Sequence, residues 1–104
     1  METRFRDEEQ EYLKVVAYTL LRYGKWDKAW AIYEALELLM PEDIQVIKGL
    51  VVSGFHSGRL AQALALVDRW LEIASDEKDL ESARVMRARI LWALGRHDEA
   101  TDEA

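Results

Sequence analysis

Only two histidines, His56 and His97, offer an imidazole for acid–base work, and the chain has no cysteine to act as nucleophile or soft metal ligand. His56 stands beside Ser57 in the run Phe55-His56-Ser57-Gly58, a base next to a hydroxyl. General-base catalysis needs the base within hydrogen-bond reach of the proton it takes, and immediate neighbours on a helix point away from each other. His56 therefore reads as an exposed histidine at a turn, and His97 as half-buried packing at another. The carboxylate pairs Glu34/Glu37 and Asp7/Glu11 have helical spacing, but surface pairing accounts for them. A metal would need several histidines or carboxylates converging on one point. The five glycines are scattered singly and build no phosphate-cradling loop. The sequence thus predicts no catalytic, cofactor or metal site and a protein that is not an enzyme; a small enzyme centred on His56 is the alternative from that class.

The charge balance excludes another class. Formal net charge is −6, with acidic clusters at Asp7, Glu8, Glu9 and Glu11 and again at Asp98, Glu99, Asp102 and Glu103. Nucleic-acid binding begins with cations that displace counterions from phosphate, so no nucleic-acid partner is expected. The opening METRFRDEEQEY has no apolar run of a secretory signal, and no window approaches the ~18 apolar residues of a membrane span. No membrane insertion is expected, and the absence of cysteine fits a reducing, cytoplasmic location.

A single proline, Pro41, and few glycines among many Leu, Ala, Glu and Arg residues point to an all-α fold in one domain, residues 1–104. The elements are punctuated by a recurring mark: Gly24-Lys25-Trp26-Asp27-Lys28-Ala29, Gly58-Arg59-Leu60-Ala61-Gln62-Ala63 and Gly95-Arg96-His97-Asp98-Glu99-Ala100. The glycines lie 34 and then 37 residues apart, with the extra length assigned to the polar run IASDEKDLES, where Ser75 or Asp76 caps the next helix. Leu13, Val16, Ala17 and Leu20 form one stripe, and Trp26, Ala29, Tyr33, Leu36 and Met40 a second. The next unit keeps Ile47, Leu50, Val51, Leu60, Ala63 and Val67, although Gly49 and Gly54 each cost its helix ~1 kcal/mol against alanine. The last has Ala88, Leu91, Leu94 and Ala100, but Arg84 and Arg87 stand at positions usually apolar and DEATDEA has no stripe to bury. That segment is expected to fray or to order in a complex.

This pattern resembles the tetratricopeptide repeat (TPR), a helical hairpin of about 34 residues. The turn glycine, Trp26, Ala29, Tyr33 and Pro41 fall at the family's positions, while Leu36 replaces a usual small residue. The resemblance implies a solenoid of three repeats, about 10–43, 44–77 and 81–104, the third truncated. It also implies a concave groove lined by the first helix of each pair. Mapped by register, the groove positions are Glu11, Lys14, Tyr18, Leu21 and Arg22, then Gln45, Lys48, Val52, Phe55 and His56, then Val85, Arg89 and Trp92. Lys14, Tyr18, Leu21, Lys48, Val52, Phe55, Val85, Arg89 and Trp92 are the expected protein-binding residues: an apolar strip with Lys14, Lys48 and Arg89 as a cationic rim. The clamp by which some family members hold the C-terminal carboxylate of heat-shock chaperones is not expected. Only Lys14 matches it; Tyr18, Gly49, Ser82 and Met86 occupy its other places.

The run YLKVVAYTLLRYGKWDKAWAIYEALELLMPE, with its ending Glu34-Ala35-Leu36 through Pro41-Glu42, is similar to the small TPR chaperones of bacterial type III secretion, most like the YscY type. Trp70-Leu71 and Ala88-Arg89 also fit that group. The resemblance implies a cytoplasmic chaperone that pairs as a heterodimer with a small secreted export component, keeps it competent for export and then engages the export gate. Without that partner a homodimer is plausible through the same apolar surface. The alternative is a general TPR adaptor or scaffold with an unrelated protein ligand.

Overall fold

Each of the three glycine marks ends one helix and begins the next. The computed structural model of the chain describes residues 2–103, with side chains from Asp7 to Asp102. Its elements are α1 (Glu2–Arg22), α2 (Trp26–Leu39), α3 (Ile44–His56), α4 (Leu60–Ile73), α5 (Glu77–Ala93) and α6 (His97–Glu103). The fold is all-α, and no strand occurs among the described residues. Each helix packs on the next along the chain, and α1 also touches α3, giving a body of 51 × 28 × 19 Å.

The turn geometry explains the mark residue by residue. Gly24, Gly58 and Gly95 have φ of 73°, 83° and 81°, the left-handed region that a Cβ disfavours. In all three turns the glycine N–H and the next N–H reach back to helix carbonyls: Gly24 to Leu21 and Lys25 to Leu20, Gly58 to Phe55 and Arg59 to Gly54, Gly95 to Trp92 and Arg96 to Leu91. That paired closure is a Schellman motif, which satisfies carbonyls the helix end would otherwise orphan. The basic residue then stands at the start of the following helix, its carbonyl accepting from the alanine of the mark: Ala29 to Lys25, Ala63 to Arg59, Ala100 to Arg96. Those three alanines are buried, because their small side chains sit where the paired helices meet. Where no glycine mark stands, aspartates start the helix: Asp43 Oδ1 accepts from the Gln45 and Val46 amides and Asp76 Oδ1 from the Asp79 amide.

Two glycines inside α3 serve a different purpose. A Cβ on Gly49 would stand 2.3 Å from Cζ of Tyr33, and one on Gly54 would stand 2.9 Å from Cζ3 of Trp30. Both aromatic rings of α2 therefore lie directly on the backbone of α3. The propensity lost at these positions is returned as close α2–α3 packing around Leu36, Val46, Ile47 and Leu50. Ser53, buried in the same helix, is satisfied by donating to the Gly49 carbonyl at 2.7 Å.

Polar ties hold successive pairs together at their margins. Arg69 of α4 pairs with Glu37 and donates to the Pro41 carbonyl, fastening α4 to the end of α2. Arg87 of α5 pairs with Asp68 of α4 at 2.7 Å, so a position the sequence marks as anomalous is an inter-helix ion pair, and Arg84 pairs along its own helix with Glu77. The described part of the segment without an apolar stripe, residues 98–103, is helical within α6, which is seven residues long against fourteen in α2 and α4. Ala100 and a stack of His97 on Trp92, with ring centroids 3.9 Å apart, join it to α5.

Candidate functional site

Direct contact between α1 and α3 leaves a groove along their shared face, of about 470 Å³ and open to solvent. Its lining comes from Glu11, Lys14, Val15, Tyr18 and Leu21 of α1, Gln45, Lys48, Gly49 and Val52 of α3, and Tyr33 of α2 at its base. Most of that lining is carbon, and Val15 and Tyr18 are more than half exposed, so apolar surface stands uncovered.

The predicted residues fall into register sets, ten, six and three residues ahead of their turn glycine: Lys14, Lys48 and Val85; Tyr18, Val52 and Arg89; Leu21, Phe55 and Trp92. The structure brings Lys14, Tyr18, Leu21, Lys48 and Val52 together around the groove. Phe55, Val85, Arg89 and Trp92 lie outside it. The reason is that α5 packs principally on α4 and α6 and reaches α3 through long side chains. Arg89 lies over the Phe55 ring, 5.1 Å from its centroid, and His56 meets the same ring edge-on at 5.2 Å. Val85 and Trp92 remain exposed on α5.

The electrostatics differ from a simple cationic rim. Lys14 Nζ donates to Asp43 Oδ2 at 2.9 Å and lies 3.5 Å from Glu11. Burial alone pushes the Asp43 carboxyl up, but the hydrogen bonds from Lys14 and from the Val46 and Gln45 amides outweigh it and hold it below the ordinary aspartate range. Lys48 pairs with Asp79 of α5, and that bond, with a second from Trp70 Nε1 at 3.2 Å, keeps the Asp79 carboxyl low despite its burial. Both groove lysines are thus neutralised by carboxylates at or near helix starts. Arg89, by contrast, pairs with no carboxylate among the described residues; it lies over the Phe55 ring, near His56.

His56 is exposed at the end of α3, beside the turn. It stacks on Trp26 with centroids 4.2 Å apart, tying the end of α3 to the start of α2. Partial burial, and then the Arg89 charge, hold it below its ordinary pKa. The Ser57 hydroxyl donates to the Gly54 carbonyl at 3.3 Å and makes no bond to His56 among the described residues. No group of three or more histidines, aspartates or glutamates converges among the described residues, and no described helix is long and apolar enough to cross a membrane.

Val15, Tyr33 and Gly49 line the groove without having been marked as groove positions by register. Tyr33 reads from sequence as a core aromatic and Gly49 as a helix defect. The usable signal was their pairing: a glycine in the buried interior of a valine-rich helix marks a place where another side chain crosses the backbone. The chain matches no protein-family model, and a comparison with curated proteins finds no match either.

Proposed function

We propose that this chain is a protein-binding module of the TPR kind and acts as a chaperone of type III secretion. It would hold a small secreted export component against the α1–α3 groove and keep it competent for export in the cytoplasm. The observation that carries the reading is the groove itself, a mostly apolar channel left open between two helices of a small chain. Surfaces of that kind mark contact with another macromolecule when the rest of the protein is well packed. Three identical glycine turns support the repeat assignment, and the similarity of the α1–α2 sequence to the secretion chaperones supports the narrower one. Mechanistically, the groove buries the apolar face of the partner, which otherwise exposes it to aggregation, and the partner in turn covers Val15, Tyr18 and Val52.

The test is to purify the tagged chain from its native cell and determine the mass of whatever elutes with it in stoichiometric amount. A single small secreted protein at one-to-one supports the chaperone reading. An unsecreted partner moves the assignment to a general adaptor that uses the same groove. Recovery of the chain alone contradicts both.

A further inference from the structure

Resting on the reading of the α1–α3 groove as a protein-binding site, we propose that the groove selects an uncharged apolar segment of its partner that presents one amide carbonyl to the hydroxyl of Tyr33. Tyr33 is 4% exposed, and its ring lies across Gly49 with Cζ, the hydroxyl-bearing carbon, nearest to where a Cβ would stand. Its hydroxyl makes no hydrogen bond within the described chain. Yet among the described residues no fully buried polar side-chain atom goes without a partner, so this oxygen reaches solvent, and Tyr33 lines the groove. The groove floor therefore carries an unpaired neutral donor on a buried ring, in addition to the Gln45 amide and the Tyr18 hydroxyl of the lining.

Burial, with Tyr18 beside it, pushes the phenol up to about 12, so the group is a neutral donor throughout the physiological range. A ligand that covers the floor without an acceptor leaves this donor desolvated and unpaired, which costs more than the hydrogen bond returns. The acceptor must be neutral for a second reason. Lys14 and Lys48 are committed to Asp43 and Asp79, so a carboxylate entering among Val15, Tyr18 and Val52 finds no available cation to offset its desolvation. A cationic group would meet the same apolar walls, with only the solvent-exposed Glu11, already beside Lys14, to offset its desolvation. An amide, from an exposed main-chain carbonyl or an Asn or Gln side chain, meets both demands.

The experiment titrates the methyl-labelled chain with three probes of one shape, phenylbutyramide, phenylbutyrate and phenylbutylamine, and follows the Val15 and Val52 methyl signals by NMR. The amide is expected to bind several-fold more tightly than either charged probe, with an affinity that does not change with salt. Tyr33→Phe keeps the ring over Gly49 and leaves thermal stability unchanged, but lowers amide affinity by about 3- to 10-fold and abolishes the preference. Equal affinity for the three probes, or a preference that survives Tyr33→Phe, overturns this proposal while leaving the groove as an apolar site. If none of the probes shifts Val15 or Val52, the groove takes no apolar ligand, and the protein-binding reading falls with it.

Discussion

Replacing Gly49 with alanine sets two effects against each other, and the structure decides between them. Alanine improves the propensity of an α3 interior position by about 1 kcal/mol. Its Cβ, however, would stand 2.3, 2.4 and 2.5 Å from Cζ, Cε1 and Cε2 of Tyr33. Carbon atoms in contact prefer about 3.5–4.0 Å, so three ring atoms overlap by roughly 1 Å or more. Tyr33 is buried where α2 meets α3 and forms the base of the groove, so the ring must tilt out of its packed position or α3 must back away from α2. Overpacking of this kind costs about 1–3 kcal/mol, and contact with three ring carbons belongs at the upper end. After subtracting the propensity gain, Gly49→Ala should destabilise the fold by about 2 kcal/mol. In a domain of this size that lowers Tm by about 8–16 °C. Urea unfolding followed by far-UV circular dichroism measures the loss, and the control is the same substitution in a Tyr33→Ala background. There the overlap is gone, so alanine at position 49 should stabilise by up to about 1 kcal/mol, giving a coupling of about 3 kcal/mol in the double-mutant cycle. A Gly49→Ala variant as stable as the parent, or an equal cost in both backgrounds, would refute the close-approach account.

Gly58→Ala and Gly95→Ala meet no atom within 4 Å, so their cost, about 1–2 kcal/mol each, should come from the left-handed backbone alone, and Asn should cost less than Ala at both sites. Asp43→Ala removes the α3 cap and strands Lys14, and should lower unfolding free energy by about 1–2 kcal/mol, whereas Asp43→Asn keeps the cap and should lose less. Because the folded carboxyls of Asp43 and Asp79 titrate below their unfolded values, their contribution is complete above about pH 4 and fades as pH falls through the lowered folded values; urea midpoints measured down that range should show a loss that Asp43→Asn reduces. His56 also has a depressed folded pKa, so the unfolded chain takes up its proton first. Stability should decline as pH drops below about 6.5, and His56→Gln should flatten that part of the profile.

How much of this was open to a reader of the sequence depends on the range over which each interaction acts. The turn glycines are legible because a left-handed residue, a Schellman closure and the alanine four residues beyond the following base are all local, and the chain writes them three times. The apolar stripes are legible for the same reason, and with them the all-α fold. Gly49 and Gly54 are visible as anomalies, but what they admit, Tyr33 and Trp30, comes from another helix. Lys14 and Lys48 look like rim charges because the carboxylates that neutralise them, Asp43 and Asp79, stand about thirty residues further on and double as starts of helices. Phe55 shares its register with Leu21, yet only the packing of α5 on α4 brings Arg89 over its face and leaves it outside the groove. Register places a side chain on a face of a helix; it does not say which long side chain from a neighbour lies across it.

The central claim, that the α1–α3 groove is where a protein partner sits, is tested most directly by hydrogen–deuterium exchange and carboxyl footprinting of the co-purified complex against the free chain. The account predicts protection of the α1 and α3 groove faces around Val15, Tyr18, Gln45 and Val52, with the solvent side of α2 around Leu38 unchanged, and loss of the complex on Val52→Glu while helicity is retained. Protection centred on α2 or α4, or a complex that survives Val52→Glu, would contradict it.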